Sequence, residues 1–487
     1  MRGLKLLGAI VACGLATAAP AQSGGWSPDP WLADLAQMRA ALEEEYANYD
    51  WLTGEREVDL GALFDRAEAR LRQARDDGGA RAVFDRLVQR IGDGHVAIDW
   101  PAASAPPAAS GASTAPVQPS RPAALCRRLG YDARQADAGI GPALPGYRAV
   151  EPGQMFATGI VPVGREQVGV LRIGVFQPQG GPAWCEAAVA AFAIDPARPC
   201  DDDCAEHILT WSYRRMTGEL EQRIARLRRE GATVLLVDLS GNGGGSEWAE
   251  AAARIVSPVP LTAERLAFRR GAHWVRQWQA LAARLREAAG SADPADRLRL
   301  LRWASEADAA RREAEPCAPG DTCPRLGRAG YATGLVGSAP AGALSGRDWS
   351  PYVFSPAQYP YHDHVWTAPL LVLVDQETWS AAEEFAAELQ DNRAAIVLGA
   401  RSGGAGCGHT DGGTPTILTH SGATLELPDC VRLRADGSNE VRGIVPDVVV
   451  GLRHSDGSRL KAQLLAAALP TAVARARALH ARIRRAH

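Results

Sequence analysis

Amphipathic helical patterns dominate the first hundred residues of the chain. Apolar positions recur at the spacing of one helix face, as at Leu35, Met38 and Leu42, and charged residues fill most positions between them. We therefore predict a small helical domain over residues 31–100, with the sequence Gly92-Asp93-Gly94-His95 close to its end.

The pattern changes at about residue 147, where short apolar runs begin to alternate with helical segments. A continuous apolar run such as 368–375 is typical of a strand buried on both faces of a parallel sheet. The alternation predicts an α/β core over residues 147–455. A long polar helical insertion is predicted within 265–355, and a last helix over 456–487.

The first residues have the pattern of an export signal. A basic start and an apolar stretch precede Ala19-Pro20-Ala21, an A-x-A cleavage pattern, so we predict a signal peptide over residues 1–21 and a periplasmic or secreted protein. Cys13 lies in a short lipobox-like sequence and is an alternative site for a lipid anchor. No later apolar run reaches ~20 residues, so the sequence predicts no transmembrane helix.

Composition narrows the remaining classes of function. The chain has 487 residues, 46% of them apolar, and a net charge of −3, which gives no indication of a nucleic-acid partner. Residues 101–146 are predicted to link the helical domain to the core. The first part of this linker, to about residue 122, is rich in Ala, Pro and Ser and is expected to be flexible.

Eight cysteines remain once the signal peptide is set aside. An even number in an exported protein favours disulfides. Zinc is the competing interpretation, but the closest pairs lack the C-x2-C spacing of zinc ribbons. Proximity in sequence predicts bridges Cys200–Cys204, Cys317–Cys323 and Cys407–Cys430, which leaves Cys126 and Cys185.

Ser380 follows the apolar run 368–375 and precedes a helical pattern that starts at Ala381. A serine at such a junction faces the free N–H groups and the positive dipole end of the helix. A simple N-cap role is the alternative to a nucleophile.

A second strand-to-helix junction, residues 238–246, is rich in glycine. Its backbone N–H groups could cradle a phosphate, but Ser246 occupies the place of the third glycine of a dinucleotide fingerprint. They could instead form an oxyanion hole, which stabilises the charge of a tetrahedral intermediate. A tight loop without function is the third interpretation.

Two more candidate site residues, His95 and Glu440, indicate a function only when they are considered together with the other segments. A lone histidine such as His95 is usually structural, and a lone glutamate in a polar loop, such as Glu440, is usually just solvated. Glu440 stands seven residues before Asp447, the last residue of Gly443-Ile444-Val445-Pro446-Asp447.

Together these segments resemble one family, the C-terminal-processing or tail-specific serine proteases, in its branch related to the tricorn protease core and the interphotoreceptor retinoid-binding protein. Residues 238–245 match D-x-R-x-N-G-G-G with Ser240 in place of the arginine, 378–383 match T-x-S-A-A-E, and 92–95 match G-D-G-H. Glu440 has the family spacing to G-[VI]-x-P-D. The resemblance spans roughly residues 31–450, insertions excepted.

The resemblance implies a ClpP/crotonase-like α/β core and a choice between two catalytic designs. The Ser/Lys design needs a lysine where this chain has Ala405, and arginine cannot replace that base because its pKa stays above ~12. The Ser/His/Glu design remains, without a metal or an organic cofactor. It implies Ser380 as nucleophile, His95 as general base, Glu440 as the residue that orients His95, and an oxyanion hole from the N–H groups of Gly243, Gly244 and Ala381.

The implied activity is endopeptidase hydrolysis of peptide or protein substrates. The family often carries a PDZ domain before the core, but the interval here is short and begins with low-complexity sequence, so no full PDZ domain is expected. Because retinoid-binding relatives use this fold, a noncatalytic ligand- or peptide-binding module is the alternative function.

Overall fold

The computed structural model describes residues 26–101, 122–135, 137–150, 153–318, 323–409, 413 and 415–486. The signal peptide predicted over 1–21 and Cys13 lie outside these residues, as do 102–121 of the predicted linker. The helices are α1 (Asp29–Glu45), α2 (Leu60–Leu71), α3 (Asp77–Ile91), α4 (Pro122–Arg128), α5 (Pro182–Ala191), α6 (Asp202–Arg229), α7 (Trp248–Val256), α8 (Ala272–Ser291), α9 (Pro294–Ala314), α10 (Ser350–Val353), α11 (Ala381–Asp391) and α12 (Ser458–Ala486).

The strands are short and fall into three sheets. They are β1 (Ala97–Asp99), β2 (Arg148–Ala149), β3 (Thr158–Val163), β4 (Glu166–Arg172), β5 (Val234–Asp238), β6 (Arg265–Arg269), β7 (Leu326–Tyr331), β8 (Leu370–Val374), β9 (Ile396–Gly399), β10 (Thr416–Ile417), β11 (Thr424–Glu426), β12 (Cys430–Leu433) and β13 (Val448–Val449). The mixed α/β class predicted from the sequence is confirmed.

The central sheet has the strand order β13-β9-β8-β5-β4-β3-β2, parallel from β13 to β4 and antiparallel beyond. Both of its faces are covered, because successive side chains of a strand point to opposite faces. Leu235 and Val237 pack with α6, α7 and α11 on one face, and Leu236 packs with α12 on the other. The carboxyl ends of β5 and β8, which are neighbours, therefore lie side by side.

Helices α1 to α3 form a separate apolar core. Asp59 and Asp76 cap the starts of α2 and α3, and Gly92, with φ 69°, ends α3 in the left-handed conformation that glycine tolerates best. The core also takes up Leu425 of β11, and β1 pairs with β11 in antiparallel register. A segment from the C-terminal third of the chain thus completes the helical layer, which the sequence pattern does not predict.

The insertion within 265–355 contains more than the predicted helices. Helices α8 and α9 form a hairpin, and β6 and β7 join β12 in the sheet β12-β6-β7. Because β12 comes from residues beyond α11, this small sheet connects the insertion to the rest of the core.

The described part of the predicted linker begins where the stretch expected to be flexible ends, and it is folded. From Pro122 onward the chain forms α4, buries Leu125 and Tyr131, and is joined to α5 by the disulfide Cys126–Cys185. Asp137 also pairs with the buried Arg172 of β4. Covalent and ionic links, which low apolar content does not reveal, fix this segment.

The predicted disulfide pairing is confirmed. The structure contains the bridges Cys126–Cys185, Cys200–Cys204, Cys317–Cys323 and Cys407–Cys430. Within the part of the chain that the structure describes, none of the helices has the length and hydrophobicity of a membrane-spanning segment.

Candidate active site

Ser380 occupies the sharp turn between β8 and α11 and has φ 57° and ψ −124°. A positive φ costs a residue with a Cβ atom of order 1–3 kcal/mol, and such strain is concentrated at functional sites. Its backbone N–H donates to Glu383 Oε2 at 3.1 Å, which is one half of a capping box at the start of α11. Its Oγ atom also contacts a partner on another segment, His95.

The glycine-rich turn after β5 packs directly against Ser380. The Trp379 N–H donates to the Asn242 carbonyl at 2.9 Å, and a Cβ atom on Gly244 would lie 2.8 Å from the Cβ of Ser380. Only glycine allows this approach. The turn and the nucleophile are neighbours because β5 and β8 are neighbouring parallel strands.

His95 reaches the nucleophile from the helical core. Its Nε2 lies 3.2 Å from Ser380 Oγ, and its Nδ1 lies 3.0 Å from the Ala405 carbonyl oxygen. A carbonyl oxygen only accepts hydrogen bonds, so Nδ1 carries the proton and Nε2 is left to accept from the serine hydroxyl. This is the tautomer that a general base requires.

Close packing holds the His95 turn in place. Asp93 accepts from the His95 N–H at 3.0 Å, and Tyr46 and Asn48 donate to the other oxygen of Asp93. Burial raises the pKa of Asp93 to about 6. A Cβ atom on Gly94 would lie 2.7 Å from the Trp379 ring, so the turn can approach the nucleophile segment only as glycine.

Glu440, which the family resemblance implies as the residue that orients His95, makes no hydrogen bond with His95 among the described residues. It is buried, and its Oε1 accepts from Arg432 Nη1 at 3.0 Å, while both His95 ring nitrogens are engaged by Ser380 and Ala405. The Ala405 carbonyl occupies the position beside His95 that was expected for Glu440. The loop that carries Ala405 is held there because its Gly404 and Gly406 pack on the backbone of Val441. The expected Glu440–His95 hydrogen bond is thus replaced by a bond to a backbone carbonyl.

The N–H groups expected to form the oxyanion hole differ in whether they are available to a ligand. The Gly244 N–H is already bonded to Asn242 Oδ1 at 2.8 Å, so it is not available to a ligand. Among the described residues, the N–H groups of Gly243, Gly245 and Ala381 have no acceptor. Gly245 and Ala381 line the same pocket as Ser380, whereas Gly243 does not. Because the Asn242 side chain occupies the Gly244 N–H, Gly245 replaces Gly244 as a candidate oxyanion donor.

A pocket of about 420 Å³ opens onto Ser380 and His95. Its apolar wall includes Leu266 and Ala332 of the insertion, and the bridged Cys407. His409 and Arg432 also line it, and sequence reasoning missed both because neither belongs to a recognisable motif. The His409 ring lies 6.2 Å from that of His95, between centroids.

Burial dominates the electrostatics of the two histidines. It lowers the pKa of His95, with the nearby Arg432 acting in the same direction and the Ala405 hydrogen bond and the Glu383 charge opposing it. Burial also lowers the pKa of His409. Both rings are therefore neutral over a wider pH range than an exposed imidazole, and neutral His95 is the form able to accept a proton.

One protein family and several solved structures are similar to this chain. The model of Peptidase family S41 matches residues 207–450. A search of curated proteins finds no match. Mature CPAF complexed with lactacystin is 15% identical, with 92% of this chain and 99% of that chain covered and a TM-score of 0.58. Mature CPAF alone is also 15% identical, with 92% of this chain and 98% of that chain covered and a TM-score of 0.58. The photosystem II D1 C-terminal processing protease is 14% identical, with 88% of this chain and 94% of that chain covered and a TM-score of 0.34.

The chain therefore belongs to peptidase family S41, the family of C-terminal-processing proteases. It is a serine-type peptidase, and its substrates are peptides or proteins. At the identities above, the likeness to the CPAF structures shows the common fold alone.

Proposed function

We propose that the chain is an exported endopeptidase in which Ser380 is the nucleophile and His95 the general base. The observation that carries the proposal is the 3.2 Å distance from Ser380 Oγ to His95 Nε2, with the ring tautomer set by the Ala405 carbonyl. Hydrogen-bond contact between a hydroxyl and an oriented base is the signature of an activated nucleophile. The positive φ of Ser380 supports the same role.

The reaction follows from these contacts. As Ser380 Oγ attacks the substrate carbonyl carbon, its proton moves to His95 Nε2, and a tetrahedral oxyanion forms. The imidazolium then gives the proton to the leaving amine, which departs and leaves an acyl-enzyme. Water, deprotonated by the same nitrogen, attacks the acyl carbon; the bond to Ser380 Oγ then breaks, His95 returns the proton to Oγ, and the carboxylic acid product leaves.

The oxyanion is best served by the N–H groups of Ala381 and Gly245. Both lack an acceptor among the described residues, and both line the pocket at Ser380. A donor of this kind typically contributes about 3 kcal/mol to stabilising the transition state. Gly243 is the alternative second donor, since its N–H is equally without an acceptor there.

Glu440 belongs to the proposed site as a buried carboxylate rather than as a direct partner of His95. Its ion pair with Arg432 lies behind the pocket, at 3.0 Å. Losing the Glu440 charge would leave Arg432 less compensated beside His95, and Arg432 already lowers the His95 pKa. We therefore assign Glu440 an indirect electrostatic role.

Export is supported by the covalent links and by the predicted signal peptide. The bridges in the described residues are of the kind that persists in oxidising compartments. We propose a periplasmic or secreted enzyme, with a lipid anchor at Cys13 as the alternative to cleavage after Ala21.

The test is covalent labelling and hydrolysis by the mature protein. A fluorophosphonate probe should label wild type at Ser380, and a mixed peptide library read by mass spectrometry should be cleaved. Ser380→Ala should lose labelling and about 10⁴–10⁶-fold of kcat/KM with the fold intact, and His95→Ala should lose a similar factor. Ser291→Ala, at an exposed serine that ends α8, is the matched control and should behave as wild type.

The opposite outcomes are equally informative. Matching cleavage patterns from wild type and Ser380→Ala would show that Ser380 is not the nucleophile. No cleavage by either protein, together with tight binding of an apolar ligand, would favour a noncatalytic binding module on the same fold.

A further inference from the structure

Glu383 is a buried carboxylate in direct contact with the nucleophile segment. It lies in the first turn of α11 and has no exposed surface. It accepts hydrogen bonds from the N–H groups of Ser380 at 3.1 Å, Gly404 at 2.7 Å and Ala405 at 2.8 Å. The Ser402 hydroxyl is a fourth donor. One side chain thus ties the nucleophile to the loop 402–405.

The directions of these bonds show that Glu383 carries a negative charge. The three backbone groups can only donate. The Ser402 hydroxyl accepts from the Ile444 N–H and so turns its own proton towards Glu383 Oε1. A protonated carboxyl would place a donor against donors.

The loop that Glu383 holds is the one that orients His95. Ala405 donates its N–H to Glu383 Oε2 and accepts the His95 Nδ1 proton on its carbonyl oxygen at 3.0 Å. A displacement of Ala405 would therefore move the imidazole away from Ser380 Oγ. Misplacement by about 1 Å is enough to cost an enzyme ~100-fold in rate.

We propose that Glu383 is the positioning residue of this active site. It holds the Ser380 peptide and the Ala405 carbonyl in register, and it supplies the negative charge that stabilises the imidazolium formed during catalysis. The inference rests on the proposed roles of Ser380 and His95. It gives Glu383 the task that the family resemblance implies for Glu440.

The surroundings of His95 support this assignment of the charge. Glu383 raises the pKa of His95, whereas Arg432 lowers it. Asp93 contacts the His95 N–H, and His409 lies across the pocket. Glu440 is compensated by its 3.0 Å ion pair with Arg432, but the described residues include no cation paired with Glu383.

The deciding experiment compares Glu383→Gln with Glu440→Gln in the full-length mature protein. Glutamine would turn an NH2 group towards backbone donors and remove the charge, so the Glu383 variant should lose ~100- to ~1,000-fold of kcat with KM changed by less than about threefold. The midpoint of its kcat/KM pH profile should fall below that of wild type, because the imidazolium loses the Glu383 charge that raises its pKa. Fluorophosphonate labelling should slow by a similar factor.

The matched variant, Glu440→Gln, distinguishes a role of Glu383 in positioning from a general effect of removing a buried carboxylate. Glu440→Gln should lose less than about tenfold of kcat. An equal or larger loss in Glu440→Gln, or an unmoved pH midpoint in Glu383→Gln, would overturn the inference. A merely structural role for Glu383 would lower the melting temperature and the folded fraction but leave the pH midpoint of the remaining active enzyme unchanged.

A failure to fold is covered by a second variant. Glu383→Asp keeps the charge but shortens the side chain, so it should lower kcat while the pH midpoint stays near that of wild type. Wild-type kcat in this variant would overturn the inference. Ser380→Ala and His95→Ala run in parallel: if they stay active, the proposed function itself fails, and if they are inactive while Glu383→Gln is active, only the role of Glu383 fails.

Discussion

His95 is enclosed largely by protein, and this burial sets the pH at which the proposed base can work. Burial lowers its pKa, so the neutral form persists to a lower pH than for an exposed histidine, whose pKa is about 6.5. Protonation removes the base. We expect kcat/KM to be constant at neutral pH and to fall on acidification with a midpoint below about 6.5.

The measurement is kcat/KM for one peptide substrate between about pH 4.5 and 8, with circular dichroism at each pH as the control for unfolding. A midpoint at or above 7 would contradict the burial argument. It would mean that a negative charge dominates the environment of His95 instead.

At this scale, motif spacing predicts which side chains of the candidate site meet but not the groups that orient them. Ser380 and His95 stand in segments with characteristic letters, and the structure brings their side chains together. The Ala405 carbonyl could not be predicted, because any residue has a carbonyl and its letter says nothing of its direction. The hydrogen bond that occupies the Gly244 N–H could not be predicted either, since its acceptor, Asn242, has the sequence pattern of an ordinary turn residue.

Among the larger elements, the loop from Ser402 to Gly408 is the most consequential. It holds the His95-orienting carbonyl, and its end is joined to β12 by the bridge Cys407–Cys430. Cys407 also lines the pocket. Because Gly408 lies close enough for a Cβ atom to meet the His95 ring at 3.0 Å, any movement of this loop is transmitted to the imidazole.

Removing that bridge should therefore affect activity as well as stability. The double variant Cys407→Ala/Cys430→Ala should lose about 2–4 kcal/mol of unfolding free energy and ~10- to ~100-fold of kcat/KM. The matched control is Cys200→Ala/Cys204→Ala, whose bridge spans only four positions in sequence. Equal activity of the two variants, assayed well below their melting temperatures, would show that the loop does not need its anchor.

The pattern of strands and helices predicted the elements better than their partners. The apolar run before Ser380 is β8, buried throughout, and the helical pattern after it is α11. Pairings such as β1 with β11, or β6 with β12, join segments that are distant in sequence. Each of these strands is too short to leave a periodic signal, so the sequence alone does not predict them.

Across the whole molecule, a cluster of buried carboxylates near the site determines how stability varies with pH. Glu250, Glu264 and Glu388 are buried, and Arg254 is the near partner of Glu388 at 2.9 Å. Burial raises the pKa of Glu388 to about 7 and that of Glu250 well above its usual range. At these two carboxylates the folded protein binds more protons than the unfolded chain between about pH 4.5 and 7, and their contribution to stability falls as pH rises.

Stability should consequently fall as pH rises through that window. The melting temperature of wild type should decrease from about pH 5 to 8, and Glu388→Gln should show a shallower decrease because it has no proton to lose. Glu287→Gln, at an exposed position on α8, is the control and should keep the wild-type slope. A slope in Glu388→Gln as steep as in wild type would refute this origin.

The separation of His95 from Ser380 by 285 positions has a consequence in time. The histidine is held by β1, whose partner β11 lies later in the chain than the nucleophile, and by a loop beyond residue 400. Contacts of such high sequence separation form late, since long loops must close before they contribute. A chain emerging from the ribosome therefore exposes His95 long before Ser380, and the two side chains meet only after these late contacts form. We therefore expect the growing chain to have no peptidase activity until its C-terminal third has folded onto the helical layer.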